Sequence, residues 1–205
     1  MTNQSIRKMS IFLTTLLFLI LNCPGVKAGP LAFKDNKGKI VNQGQDYVIR
    51  MFDTPGSAIK TAEALFTVKA SPDAIYKVVI DYGHYSEFMP NIVKSSILEK
   101  SDSTAKGRFK LKIALFSVEY TLSFKSDISH LPYSVTWNFI QGDIKDTTGS
   151  WLIDKEGKGT SVVHYTVHTD PGRYVPGWIA NKLSSESIHN LITAIRKRTE
   201  NAHPN

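Results

Sequence analysis

Apolar and polar side chains alternate residue by residue in much of the second half of the chain, most clearly in residues 105–116, 118–126 and 133–141. A period of two places the two sets on opposite faces of an extended strand. The connections are short, so neighbouring strands are expected to pair antiparallel as hairpins. Such a sheet has one apolar face that another element must cover. The predicted strands are residues 47–52, 61–70, 92–99, 105–116, 118–126, 133–141, 147–154 and 160–169.

Two parts of the chain follow a helical period instead. Ser71 and Pro72 suit the start of a helix over residues 72–81, and residues 82–89 form a second short helix or turn, so two short helices follow the second strand. A long helix opens at Pro176, and its apolar stripe consists of Ile188, Leu191, Ile192 and Ile195. We therefore predict an α+β fold in which a curved antiparallel sheet wraps around the C-terminal helix.

The first 28 residues have the three parts of a secretory signal peptide. Arg7 and Lys8 supply positive charge, and the apolar run that follows is too short to span a bilayer. Cleavage is expected between Ala28 and Gly29, which would place the mature protein in the periplasm or outside the cell. Two alternatives stay open: an uncleaved anchor and lipidation at Cys23.

Composition limits the function of the mature chain. Removing 28 of 205 residues leaves 177, with 22 Lys and Arg against 18 acids, a net charge of +4 and no cysteine. That excludes disulfides and thiolate chemistry, and the modest charge argues against a nucleic-acid binder. We divide the chain into a signal peptide (1–28), a flexible leader (29–45) and one ligand-binding domain (46–200).

Aromatic residues concentrate on the predicted inner face of the sheet. Opposite them, the first half of the C-terminal helix carries small and polar residues, which would leave room for a ligand. A concave apolar space with few polar groups is the usual form of a ligand pocket. The predicted ligand-binding residues are Tyr120, Trp137, Phe139, Trp151 and Tyr165 on the sheet, capped by Asn181, Ser184 and Ser185 on the helix.

Other chemistry has weaker support in the sequence. His164 and His168 share a strand face but lack a third metal ligand, and no motif for a nucleophile or a phosphate loop occurs. We therefore predict no metal, cofactor or catalytic set. Acid–base candidates, should the protein be an enzyme, are Asp81, His84, Asp143 or a tyrosine hydroxyl. The basic run 196–198 could touch an anionic membrane transiently or simply form a solvated helix end.

Several segments, taken in order, resemble START-type domains of the SRPBCC or helix-grip superfamily, which includes polyketide cyclase-like and coenzyme-Q-binding proteins. They are YVIRMFDTPGS from Tyr47, SPDAIY from Ser71, DYGHYSEFMP from Asp81, GSW from Gly149, and DPG followed by VPGWIAN between Asp170 and Asn181. The resemblance runs from about Asp46 to Arg198. It implies a helix-grip fold whose deep cavity binds lipids, sterols, quinones or other apolar molecules.

Three functions follow as hypotheses. The first is an exported protein that binds, and could transfer, a lipid-like small molecule in the cavity. The second is a cyclase- or hydrolase-type enzyme that uses the same cavity. The third is an envelope interaction module without a ligand, which a fully packed interior would favour.

Overall fold

The computed structural model describes residues 31–113, 115–172 and 177–202, with the backbone alone for 177–185 and residue 202. Residues 31–205 form one compact unit. The nine strands are β1 (Lys39–Gln43), β2 (Tyr47–Phe52), β3 (Thr61–Val68), β4 (Ile92–Lys100), β5 (Thr104–Ile113), β6 (Phe116–Asp127), β7 (Tyr133–Gly142), β8 (Asp146–Gly157) and β9 (Thr160–Asp170). The helices are α1 (Pro72–Val79), α2 (Tyr85–Phe88) and α3 (Gly177–Ala202), with a 3₁₀ turn at Tyr82–His84.

All nine strands form one antiparallel sheet in the order β1-β2-β3-β9-β8-β7-β6-β5-β4. The segment from β4 to β9 is a run of hairpins, as the alternation predicts. The last strand then pairs with β3, with Ala64 opposite Tyr165 and Phe66 opposite Val163. The two short helices lead from β3, in the middle of the sheet, to β4 at its edge. The predicted α+β fold is confirmed.

Part of the segment predicted as a leader (29–45) is a strand, because residues 39–43 form β1. Its register with β2 sets Lys39 opposite Met51 and Gln43 opposite Val48. The strand is mostly exposed and lacks apolar alternation, so backbone pairing at the sheet edge stabilises it rather than burial. The short helices consequently follow the third strand, not the second.

The helices bury apolar stripes against the inner face of the sheet. Ser71 caps α1 by accepting a hydrogen bond of 3.3 Å from the backbone N–H of Ala74, and Ile75 and Val79 are fully buried. On α3 the four predicted stripe residues are all buried, and the helix contacts α1, β2 and β3. Within the described ranges, no helix is long and apolar enough to cross a bilayer.

The basic run near the end of α3 fastens the helix to the rest of the domain. The guanidinium of Arg196 donates to the backbone oxygens of Thr67 (2.9 Å) and Asp46 (3.0 Å). Arg198 pairs with the carboxylates of Asp81 and Glu87, each at 3.2 Å. The two arginines are therefore partly exposed but paired within the domain, and transient membrane contact by the run stays a prediction.

Arg50 is a buried cation on the outer face of the sheet, only 4% exposed. Its Nε donates to Glu63 on β3 at 2.7 Å, and its Nη1 donates to the carboxylate of Asp35 and to the backbone oxygen of Lys37 (3.2 Å). The ring of Phe33 lies 3.9 Å from the guanidinium carbon. The hydrogen bond from Arg50 lowers the pKa of Asp35. Arg50 thus holds residues 33–37 against β2 and β3.

Gly149 on β8 makes room for the indole of Trp137, its direct partner on β7. A Cβ at Gly149 would lie 2.1 Å from Trp137 Cζ2 and 2.3 Å from the backbone oxygen of Thr166. The ring therefore lies across the backbone of the neighbouring strand, which only glycine permits.

Replacing Arg50 with methionine should lower the free energy of unfolding by about 2–3 kcal/mol, because Glu63 loses its buried cation. Lys106→Met is the control: the ion pair of Lys106 with Glu99 is exposed, and its loss should change the free energy by no more than about 0.5 kcal/mol. Urea unfolding measures both. Equal effects of the two variants would contradict the role given to Arg50.

Gly149→Ala should destabilise the domain by about 1–3 kcal/mol, since the methyl group must displace Trp137 or separate two strands. Thermal unfolding gives the loss, and near-ultraviolet circular dichroism shows the altered indole environment. Gly157→Ala on the same strand is the matched control, because a Cβ there meets no atom within 4 Å. Unchanged stability of Gly149→Ala would refute the close approach.

Candidate functional site: an apolar cavity between sheet and helices

A cavity of about 260 Å³ lies on the inner face of the sheet. Strands β5 to β9 form its floor, while α2, the loop after it and α3 contribute side chains from above. A water molecule occupies about 30 Å³ in the liquid, so the space is far larger than a packing defect. The fully packed interior expected of an interaction module without a ligand is therefore absent from the described residues.

One wall of the cavity is a group of three aromatic rings. Tyr165 lies between Trp151 (ring centroids 4.4 Å apart) and Trp137 (5.7 Å, planes at 24°). The three rings come from β9, β8 and β7, and the register that sets Trp151 opposite Tyr165 brings them together. Offset aromatic contacts of this kind stabilise a rigid apolar surface.

The opposite wall is built by a second aromatic group. Phe109 on β5 contacts Tyr85 (5.7 Å), Tyr120 (6.1 Å) and Phe124 (5.9 Å). Tyr85 comes from α2, so this group also joins the short helices to the sheet. Both walls therefore consist of rings with few rotamers, and the cavity has a defined shape.

Few polar groups reach the cavity. Asn91 Nδ2 donates to Ser187 Oγ at 3.1 Å, and the hydroxyls of Thr147 and Thr169 lie 2.8 Å apart. Among the described lining residues none carries a formal charge at neutral pH.

Three tyrosines in the walls stay neutral at physiological pH. Burial raises the pKa of Tyr85, Tyr120 and Tyr165, and the interaction of Tyr165 with Tyr120 raises its pKa further. The hydroxyl of Tyr85 donates to the backbone oxygen of Val79. These hydroxyls can act as hydrogen-bond donors but are poor bases.

The predicted sheet residues mostly occupy the cavity wall. Tyr120, Trp137, Trp151 and Tyr165 line it, whereas Phe139 is half-buried against the core beside it. The register explains the difference, because Phe139 pairs with Leu122 while Gln141 pairs with Thr121, so β7 carries an extra residue there. Such a bulge bends the strand away. The side chains of Asn181, Ser184 and Ser185 lie outside the described residues, and ligand binding by the whole set stays a prediction.

Sequence reasoning missed the polar pair at the cavity rim. Asn91 follows Pro90 and has φ of 66°, a left-handed conformation that asparagine adopts more readily than most residues. That turn aims its side chain at Ser187 on α3. The only advance signal was an asparagine after a proline, since the partner lies 96 residues away.

The acid–base candidates outside the tyrosines are not among the residues that line the cavity. Asp81 accepts from His84 Nδ1 at 2.6 Å and from Arg198. Burial opposes ionisation of Asp81, but these hydrogen bonds outweigh it and lower its pKa, while the bond to Asp81 raises the pKa of His84. Asp143 is exposed and accepts from the backbone N–H of Glu119. The contacts of Asp81 tie the turn after α1 to the C-terminal helix. The contact of Asp143 ties the turn after β7 to β6.

The two histidines of β9 lie on the outer face of the sheet. Nε2 of His164 is 3.7 Å from a Glu63 oxygen, and Nδ1 of His168 lies 3.3 Å from the hydroxyl of Thr54. Among described residues, no group of three or more His, Cys, Asp or Glu side chains could hold a metal ion. Nε2 of His164 is buried and has no hydrogen-bond partner among the described residues.

An exposed apolar tip projects beside the cavity, at the turn from β5 to β6. Leu115 is 97% exposed and Phe116 40%. Ile113 and Phe116 also line the cavity, and the exposed Lys112 precedes the tip. Large apolar side chains this exposed are uncommon without a partner.

Two solved structures have a similar architecture. A STAR-related lipid transfer protein fragment from Xanthomonas axonopodis superposes with a TM-score of 0.73 at 17% identity, covering 80% of this chain and 99% of that one. The Zhui aromatase/cyclase from Streptomyces sp. R1128 gives 0.57 at 16% identity, covering 68% and 93%. At such identities the likeness shows the fold, and the expected START or helix-grip fold is confirmed.

Sequence comparison identifies the family. A Pseudomonas aeruginosa protein described as uncharacterized is 33% identical over 52 residues, which span 25% of this chain and 26% of that relative. The family profile described as polyketide cyclase / dehydrase and lipid transport matches residues 68–196, more than half of the chain. The chain therefore belongs to the polyketide cyclase / dehydrase and lipid transport family.

Proposed function

We propose that the protein is an exported carrier that holds one lipid-like molecule in the cavity and exchanges it at a membrane. The fold is one that binds lipids or other apolar ligands, and its structural neighbours include both a lipid transfer protein and an aromatase/cyclase. The single observation that carries the proposal is the cavity itself, which is walled by two aromatic groups and has no charged residue in its described lining.

Apolar burial supplies the binding energy in such a site. Each square ångström of apolar surface removed from water contributes about 25 cal/mol. The rigid rings of Trp137, Trp151 and Tyr165 offer such surface without a large ordering cost, because they already pack against one another.

The carrier is favoured over the enzyme by the chemistry available in the cavity. The carboxylate and imidazole candidates, Asp81, His84 and Asp143, are not among its lining residues. Tyrosine hydroxyls do line it, but burial raises the pKa of Tyr120 and Tyr165, which makes them weak general bases.

Export is proposed from the N-terminal sequence. Cleavage between Ala28 and Gly29 would leave intact the contacts of Arg50 with Phe33, Asp35 and Lys37, which fasten the start of the described chain. The mature chain would then lack cysteine, so its fold would depend on noncovalent interactions alone.

Membrane contact is proposed for the apolar tip rather than for the basic run of α3. Leu115 and Phe116 could insert among lipid tails while Lys112 attracts anionic headgroups. Because Phe116 also lines the cavity, insertion would bring the cavity next to the bilayer.

Organic extracts of the protein, purified from the periplasmic fraction of a bacterial host, should contain an apolar small molecule by mass spectrometry. The intact mass of the same sample should correspond to a chain that begins at Gly29. Val118→Trp should reduce the extracted amount several-fold, because Val118 lines the cavity and the largest side chain would fill it. Ser117→Trp is the control, since Ser117 is exposed on the neighbouring position of β6.

Two results would count against the carrier. One is a wild-type protein that yields no apolar molecule and does not bind the fluorescent probe N-phenyl-1-naphthylamine. The other is equal loading of Val118→Trp and Ser117→Trp, which would place the ligand elsewhere.

Leu115→Glu should weaken binding to vesicles of phosphatidylglycerol and phosphatidylethanolamine roughly tenfold, because a buried leucine contributes about 1.5–3 kcal/mol. Vesicle sedimentation measures the effect. Ile128→Glu is the control: Ile128 is 50% exposed but lies beyond the opposite end of β6. Equal losses in both variants would refute docking through the tip.

A further inference from the structure

The cavity wall includes the side chains of Tyr120 and Tyr165. Tyr165 is only 8% exposed, and Tyr120 lines the cavity beside Phe109. Neither hydroxyl makes a hydrogen bond to any of the described residues. By contrast, Tyr85 donates to Val79 and Tyr133 donates to Asp73. The buried hydroxyl of Tyr82 is also unpaired among the described residues, but Tyr82 does not line the cavity. The unpaired hydroxyls that a ligand in the cavity would meet are therefore those of Tyr120 and Tyr165.

An unpaired hydroxyl in an apolar space is unfavourable, because it has lost the hydrogen bonds that water would supply. A pure hydrocarbon ligand would leave both groups in that state. A ligand oxygen placed between them would accept from one or both. The hydroxyls thus discriminate between apolar molecules of similar shape.

The hydroxyls act as donors because they stay protonated. Burial raises the pKa of Tyr120 and of Tyr165 above the ordinary value for tyrosine. Both tyrosines line the same cavity, one from β6 and the other from β9, so a ligand that fills the cavity would lie against both.

The charge of the ligand is constrained by the same wall. The described lining contains no Lys, Arg, His, Asp or Glu side chain. Moving an ionised carboxylate or phosphate into such a space without a counter-charge is strongly unfavourable. An uncharged oxygen, as in a ketone, quinone, ester or alcohol, carries no such penalty.

We propose that the cavity selects an uncharged apolar molecule with a hydrogen-bond-accepting oxygen, and that Tyr120 and Tyr165 donate to that oxygen. This inference rests on the proposed function and adds the class of ligand to it.

The test uses three probes of one shape: 2-acetylnaphthalene, which has a ketone oxygen, 2-isopropenylnaphthalene, which has a CH₂ group in its place, and 2-naphthoate, which is charged. Isothermal titration calorimetry gives the affinity of each for the wild-type protein. The same measurements are made on Tyr120→Phe, Tyr165→Phe and the double variant. Tyr133→Phe is the control, because its hydroxyl bonds Asp73 outside the cavity. Circular dichroism verifies that each variant is folded.

The ratio of ketone to alkene affinity should fall about five- to tenfold in the double variant, as expected for the loss of a hydrogen bond. The alkene should bind all variants as well as it binds the wild type, and Tyr133→Phe should keep the wild-type ratio. Either single variant alone should give part of the fall, which keeps the test informative if the double variant does not fold.

The possible failures are distinguishable. Binding of both neutral probes with a ratio that the tyrosine variants leave unchanged would overturn the inference and leave the carrier function standing. Tighter binding of 2-naphthoate than of the ketone would also overturn it. Failure of the wild-type protein to bind any of the probes would contradict the proposed function itself.

Discussion

The fold has to cover the apolar inner face of a nine-stranded sheet with one long helix and two short ones. The buried stripe of α3 contacts β2 and β3 and packs against α1. Beyond that contact, strands β5 to β9 line the cavity together with Ile188 and Leu191 of the stripe. Aromatic side chains from the sheet itself cover this region, and the cavity is the space that they leave.

Gly149 shows how the space is kept open. Because β8 lacks a side chain opposite Trp137, the indole lies along the sheet instead of standing up from it. Tyr165 then stacks on the indole, and Trp151 on Tyr165. The wall is rigid without filling the interior, which combines the stability of a packed core with the capacity to hold another molecule.

Charged side chains are likewise absent from the described lining of the cavity. The ionic groups with the most partners lie away from the cavity: Arg50 on the outer face of the sheet, and Arg196 and Arg198 at the end of α3. They fasten the N-terminal segment and the C-terminal helix, the two parts of the chain least held by the sheet. In its described lining, the cavity is left with hydroxyls and the amide of Asn91 as its polar side-chain groups.

Most of the sheet could be predicted because alternation is a local signal, and the β5 to β9 hairpins follow it closely. The four aromatic residues of the wall could be placed for the same reason. The strand β1 could not, since its stability comes from backbone pairing that leaves no pattern in a polar sequence. Phe139 packs against the core beside the cavity, next to a one-residue bulge in β7 that the alternation does not reveal. The pair of Asn91 and Ser187 could not be predicted, because it depends on a contact between distant parts of the chain.

The aromatic wall also makes the tryptophan fluorescence of the protein sensitive to what the cavity contains. The chain has three tryptophans, and two of them, Trp137 and Trp151, line the cavity. Indole emission responds to the polarity and the quenching groups of its surroundings, so molecules that enter the cavity should alter the intrinsic fluorescence directly. Uptake and release could then be followed in real time without a label on either protein or ligand.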